Sequence, residues 1–145
     1  MLKQIDGNLL GIESGVILHQ VNCRGVTGGL AGALRRRWPD HFKTYLAACA
    51  EHHPRKLLGQ LAASAVEGHP LTIFHVFGQF NPGPNTNLQA VEDALCTAAT
   101  LHKWLPMFAP YKMGCGLGGG NWEEYSALIE RYLKHCIIIK HPQYK

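Results

Sequence analysis

The sequence predicts a three-layer α/β domain built on a largely parallel sheet. Three observations carry this. Short apolar, β-branched runs read as strands buried on both faces. They alternate with segments of helical periodicity. Glycine-rich loops sit where strands give way to helices.

The strand signals come first. Residues 16–21 form an apolar run after Gly15, residues 71–77 another between Pro70 and Gly78, and residues 136–139 a third. Weaker candidates are 2–5, 57–65 and 107–109. A helix over 87–103 places Leu88, Val91, Leu95, Ala98 and Leu101 on one face, with Thr86 and Gln89 as a capping-box pattern. A helix over 121–134 aligns Trp122, Tyr125, Leu128, Ile129, Tyr132 and Leu133, with Asn121 and Glu124 as a weaker capping pair. Helices over 29–38 and 40–52 flank Pro39, which breaks the run. Phe42, Tyr45, Leu46 and Cys49 give the second an apolar stripe. In open α/β folds of this order, ligands bind outside the carboxyl ends of the strands.

Composition narrows the class. The chain has 145 residues, 46% hydrophobic and 17% charged, the latter below an average of about 25%. That excludes a charged disordered tail and leaves one domain over 1–145 with a substantial core. The net charge of +4 suits an anionic small molecule. The one dense basic cluster, Arg35-Arg36-Arg37, reads as a solvated helix face rather than a nucleic-acid stripe. Five scattered cysteines with no CxxC pair speak against a disulfide framework and a structural zinc site. His52, His53 and His69 show no metal-ligand spacing, so neither metal nor cofactor is expected. The N-terminal residues do not read as a secretory signal, and no apolar run approaches membrane-span length. The expectation is a reduced, cytoplasmic protein with no membrane partner.

Nine of the 16 glycines fall in two loops. Gly25, Gly28, Gly29 and Gly32 follow the 16–21 strand, and Gly114, Gly116, Gly118, Gly119 and Gly120 follow the 107–109 strand. Each loop opens a helix. Free N–H groups and the helix dipole there favour an anion, and glycine lets backbone approach a phosphate closely. Neither loop has the Gly-Lys-Ser/Thr of a Walker A motif. Gly114, Gly116 and Gly119 match GxGxxG, but no acidic residue ends the next strand, at Ile139-Lys140-His141. The two loops together predict a diphosphate clamp of another kind.

Residues 7–10 (Gly-Asn-Leu-Leu), 17–25 (Ile-Leu-His-Gln-Val-Asn-Cys-Arg-Gly) and 27–31 (Thr-Gly-Gly-Leu-Ala) resemble the macrodomain, an ADP-ribose-binding α/β module. Residues 111–122, from Tyr111 to Trp122, resemble its second diphosphate loop. The resemblance spans nearly the whole chain. It implies an α/β/α fold with a mixed, mostly parallel six-stranded sheet. The His-x-x-Asn-Cys motif and the Arg-Trp-Pro at 37–39 are most similar to the fungal-type ADP-ribose 1″-phosphate phosphatases and their phage and bacterial relatives.

The resemblance also implies roles. Asn8, with Leu9 beside it, stands where most macrodomains use an Asp to read adenine; an Asn accepts through its carbonyl oxygen without the charge. Asn22 is placed at the distal ribose. Gly28, Gly29, Leu30 and Ala31 form the first diphosphate loop, and Gly116, Leu117, Gly118, Gly119 and Gly120 the second. His19 matches the proposed catalytic His, as a base toward water or an acid toward the leaving oxygen. Strand alternation sets His19 and Asn22 on opposite faces unless the strand end twists or bulges. Asn121 is a polar contact or a helix cap, and Phe80 a stacking residue or a loop anchor. A second similar branch, the ADP-ribosyl-glutamate hydrolases, uses a Lys after the 71–77 strand and an Asp in the second loop; this sequence has Phe77-Gly78-Gln79-Phe80-Asn81 and Gly118 in those regions.

The preferred activity is therefore phosphate release from ADP-ribose 1″-phosphate. The alternatives are a non-enzymatic ADP-ribose reader and a hydrolase acting on ADP-ribosylated protein or nucleic acid.

Overall fold

The computed structural model describes residues 1–101 and 105–143. The strands, in chain order, are β1 (Lys3–Asp6), β2 (Gly15–Asn22), β3 (Leu61–Ala65), β4 (Leu71–Gln79), β5 (Met107–Pro110) and β6 (Ile137–Lys140). They form one sheet in the order β1-β6-β5-β2-β4-β3. Only the β3–β4 pair is antiparallel; the other neighbours run parallel. The helices are α1 (Gly29–Arg37), α2 (Lys43–Glu51), a short α3 (Pro54–Leu57), α4 (Leu88–Leu101) and α5 (Trp122–Tyr132).

Alternation along the central strands divides the core into two layers. Val16, Leu18, Phe74 and Val76 face α4 and α5, against Val91, Leu95, Tyr125 and Ile129. Ile17, Val21, Ile73 and Phe77 face the other way, against Leu34, Phe42 and Tyr45 of the α1–α2 layer. The sheet is thus covered on both sides, as its near-continuous apolar strands require. Phe42, Tyr45 and Tyr125 are fully buried, each contributing roughly 1.5–3 kcal/mol by leaving water.

Several boundaries differ from those the sequence predicts. The strand expected over 57–65 begins only at Leu61, because Pro54–Leu57 forms a helical turn and Gly59 takes φ +87°. The helix expected over 40–52 starts as a 3-10 turn at Pro39–Phe42 and becomes α-helical at Lys43. The α4 cap is not the Thr86–Gln89 box. Asn87 Oδ1 accepts from the Ala90 N–H at 3.0 Å, and Thr86 is engaged elsewhere. Leu101, expected on the apolar face, is exposed. The last two positions of that predicted helix, 102 and 103, lie outside the described residues.

Candidate functional site

Both glycine loops leave the carboxyl ends of parallel strands in mid-sheet, β2 and β5, and border one cavity of about 550 Å³. The first loop follows β2. Asn22 builds it: its Oδ1 accepts from the Arg24 N–H at 2.9 Å and more weakly from the Val26 N–H at 3.4 Å, and its Nδ2 donates to the Val26 carbonyl at 2.8 Å. The Tyr45 hydroxyl donates to the Asn22 carbonyl at 2.9 Å from below. One Asn22 N–H remains for a ligand.

The chain then enters α1. Its first helical hydrogen bond runs from Gly32 N–H to the Gly28 carbonyl. The N–H groups of Gly29, Leu30 and Ala31 precede it, and no side chain caps this end. By contrast, α4 and α5 are capped by Asn87 and Asn121. Gly28, Gly29, Leu30 and Ala31 all line the cavity.

The second loop rests on a partly buried polar cluster. Gln20 Nε2 donates to Gln79 Oε1 at 2.8 Å and to Thr86 Oγ1 at 3.0 Å. Tyr125 donates to Gln20 Oε1 at 2.6 Å and also bonds Thr86. Gln79 Nε2 holds the carbonyls of Asn81 and Gly83. Gly114 lies directly over this cluster with φ +72°, and a Cβ there would fall 2.5 Å from Tyr125 Oη. Only glycine combines that conformation with that approach. Burial pushes the Tyr125 phenol up to about 12, so it stays a neutral donor. The loop's own Leu117 is 77% exposed and reaches over Gly29 of the first loop.

The structure brings together most of the residues that the sequence singles out. Asn8, Leu9, His19, Asn22, Gly28, Gly29, Leu30, Ala31, Gly116, Leu117 and Gly118 line the cavity. Asn8 Oδ1 accepts from the Leu10 N–H at 3.0 Å, capping a 3-10 turn, which leaves its amide and a second lone pair. Gly119, Gly120, Asn121 and Phe80 lie outside the lining. Gly119 packs toward Pro84 and Gly120 toward Tyr125. Asn121 Oδ1 caps α5 at the Glu124 N–H. Phe80 is covered by the Arg24 guanidinium, 4.7 Å above its ring.

His19 is 1% exposed and belongs to the α1–α2 face, as alternation requires. The pairing of β2 with β4 shifts between Val21 and Asn22, so that Asn22 pairs with Gln79 and Gly78 is passed over. With that irregularity both His19 and Asn22 line the cavity. His19 Nε2 lies 2.8 Å from His75 Nδ1, and His19 Nδ1 is buried without a partner. Burial, reinforced by His75, holds the His19 pKa well below its usual value. His19 is therefore neutral near pH 7, so of the two roles expected from the sequence it suits a proton acceptor better than an acid.

Sequence reasoning missed Thr86 and Tyr125 as builders of the site. A polar Gln20 inside an apolar strand was the available signal. No carboxylate lines the cavity among the described residues, and Lys112 and His141 do. No helix of the described residues is long and apolar enough to cross a membrane, and all five cysteines are unpaired.

This geometry has counterparts among known proteins. No family model matches the chain. An uncharacterized 17.5 kDa protein of Enterobacteria phage T4 is 24% identical, over 96% of this chain and 94% of that protein. A Bacteroides thetaiotaomicron protein of unknown function superposes with a TM-score of 0.81 at 26% identity, covering 97% of each chain. The macrodomain of Thermus aquaticus DarG superposes with a TM-score of 0.76 at 24% identity, again over 97% of each. Thermosipho africanus DarTG, solved in complex with ADP-ribose, gives a TM-score of 0.76 at 21% identity over 98% of this chain and 42% of that one. The six-stranded sheet and its helical layers therefore define a macrodomain fold.

Proposed function

We propose that the cavity binds ADP-ribose. The observation that carries this is the pairing of two glycine loops, one of them an uncapped helix N-terminus, around a cavity with no carboxylate in its described lining. Partial positive charge on free N–H groups recognises a diphosphate. The remainder of the lining is largely apolar, with Lys112 and His141 adding basic groups, which suits the nucleosides of an anionic ligand. The macrodomain fold and the ADP-ribose held by the T. africanus neighbour support the same ligand.

The reaction we assign is release of the terminal phosphate of ADP-ribose 1″-phosphate. Water attacks phosphorus, the bond to the ribose oxygen breaks and that oxygen takes a proton from solvent, so that ADP-ribose and phosphate leave. His19, neutral and buried, accepts the proton of the attacking water. The loop N–H groups, with the spare Asn22 N–H, stabilise the charge that develops. A non-enzymatic reader is the second reading. It is favoured by the absence, among the described residues lining the cavity, of a carboxylic acid to protonate the leaving oxygen. Removal of ADP-ribose from protein or nucleic acid is disfavoured by the same lack of a carboxylate.

Calorimetry with ADP-ribose, followed by phosphate release from ADP-ribose 1″-phosphate by wild type and His19→Ala, separates these. No ADP-ribose binding sinks the whole proposal. Binding without phosphate release leaves the reader. Release that survives His19→Ala removes His19 from the chemistry. ADP-ribosylated protein and DNA belong in the same assay.

A further inference from the structure

His19 does not stand alone in the core. Its Nε2 meets His75 Nδ1 at 2.8 Å, directly across the β2–β4 pair. His75 Nε2 lies 3.0 Å from the His41 carbonyl and 3.0 Å from Ser64 Oγ. A carbonyl only accepts, so His75 Nε2 carries the proton. In neutral His75, Nδ1 is then an acceptor, and the proton between the two rings belongs to His19 Nε2. Burial lowers both pKa values, which keeps both rings neutral and the order of protons fixed.

The consequence falls on the far nitrogen of His19. In the Nε2–H tautomer, Nδ1 is a bare lone pair. With Trp38 Nε1 it is one of two buried side-chain nitrogens that have no hydrogen-bond partner among the described residues, and His19 lines the cavity. An unmade hydrogen bond at a buried polar atom is costly unless a ligand or water supplies it. A phosphate oxygen or a carbonyl offers no proton there. A hydroxyl does.

We propose that His75 is a positioning residue. It holds His19 as a hydrogen-bond acceptor toward the cavity, and Nδ1 selects an O–H donor: a ribose hydroxyl of bound ADP-ribose, or a water, whether in the free protein or at the attacking position of the proposed reaction. The identity of the ligand rests on the ADP-ribose reading above; the tautomer does not. The proton order runs from His19 to His75 to the His41 carbonyl, so the main chain beside α2 sets the chemistry of a side chain at the cavity.

Nitrogen NMR of the histidine-labelled protein tests this. In the free wild-type protein, His19 is expected to show a protonated Nε2 and an unprotonated Nδ1. ADP-ribose should move the Nδ1 resonance more than Nε2. His75→Leu should mix the tautomers and weaken ADP-ribose binding about tenfold, the size of one lost hydrogen bond. His75→Gln keeps an acceptor for His19 and a donor for His41, so it should restore the tautomer and bring binding to within about threefold of wild type. A protonated Nδ1 in the free protein overturns the proposal, as does an Nδ1 resonance indifferent to bound ADP-ribose. If His75→Leu fails to fold, the wild-type spectrum and the His75→Gln rescue still decide. If ADP-ribose does not bind, the functional reading fails while the free-protein tautomer still decides this one.

Discussion

The Tyr125 hydroxyl donates a 2.6 Å hydrogen bond to Oε1 of Gln20, joining α5 to β2 beneath the second glycine loop. The loop's conformation thus depends on a helix that follows it and a strand far before it. Tyr125→Phe removes the hydroxyl and leaves Gln20 Oε1 without its shortest partner. We expect a stability loss of about 1–3 kcal/mol. Faster amide exchange across 114–120 should accompany it, read by urea unfolding and hydrogen exchange. Unchanged protection of the loop would show that the cluster does not support it.

Two glycines of the same loop should behave oppositely. A Cβ at Gly114 meets Tyr125 and Gln20 at about 2.6 Å in a left-handed conformation, whereas a Cβ at Gly116 meets no atom within 4 Å. Gly114→Ala should cost about 2–4 kcal/mol. Gly116→Ala should stay within about 0.5 kcal/mol of wild type. Thermal unfolding of both variants checks the contrast, and equal losses would contradict it.

Stability should fall in mild acid. Burial lowers His75 from 6.5 to about 4 and lowers His19 as well. As pH drops, the unfolded chain takes up these protons before the folded one does. The stabilisation is therefore complete above about pH 6.5 and lost between there and about pH 4, worth on the order of 3 kcal/mol for His75. The rings that cover it, Tyr45 stacked at 5.5 Å and Phe42 at 4.8 Å, carry no charge that would hold the proton. Urea unfolding at pH 7 and pH 4.5 should show the loss, and His75→Gln should flatten it. A rise in stability toward pH 4.5 would refute the assignment.

Asn22 links stability and binding. Asn22→Ala removes the bonds that shape residues 24–26 and should cost about 1–3 kcal/mol. Asn22→Asp keeps the acceptor but replaces the Val26 bond with repulsion and sets a negative charge at the cavity. ADP-ribose affinity should fall further in Asn22→Asp than in Asn22→Ala, by calorimetry. The reverse order would mean that the cavity does not favour an anion through electrostatics.

The fold was legible because its signals are local. Periodicity in 121–134 and the β-branched run at 16–21 specify element type without knowledge of neighbours. The position of the glycine loops was legible for the same reason, since glycine clusters at strand-to-helix junctions are read from their own residues. Thr86 shows where this stops. Its spacing to Gln89 matches a capping box, yet its hydroxyl bonds Gln20 and Tyr125, and Asn87 takes the cap. Local pattern lost to a tertiary partner that no window of sequence contains.

By itself, then, the sequence determined a six-stranded α/β layering and the position of the two glycine loops at strand-to-helix junctions. Each follows from propensity, period or residue type over a few positions. Tertiary structure decided what those residues do together. It stacked Gly114 on Tyr125, passed over Gly78 so that His19 and Asn22 line one cavity, and joined His19 to His75 across 56 residues of chain. Protonation state and hydrogen-bond direction depend on what packs around a group, and strand pairing supplies that only once the chain has folded.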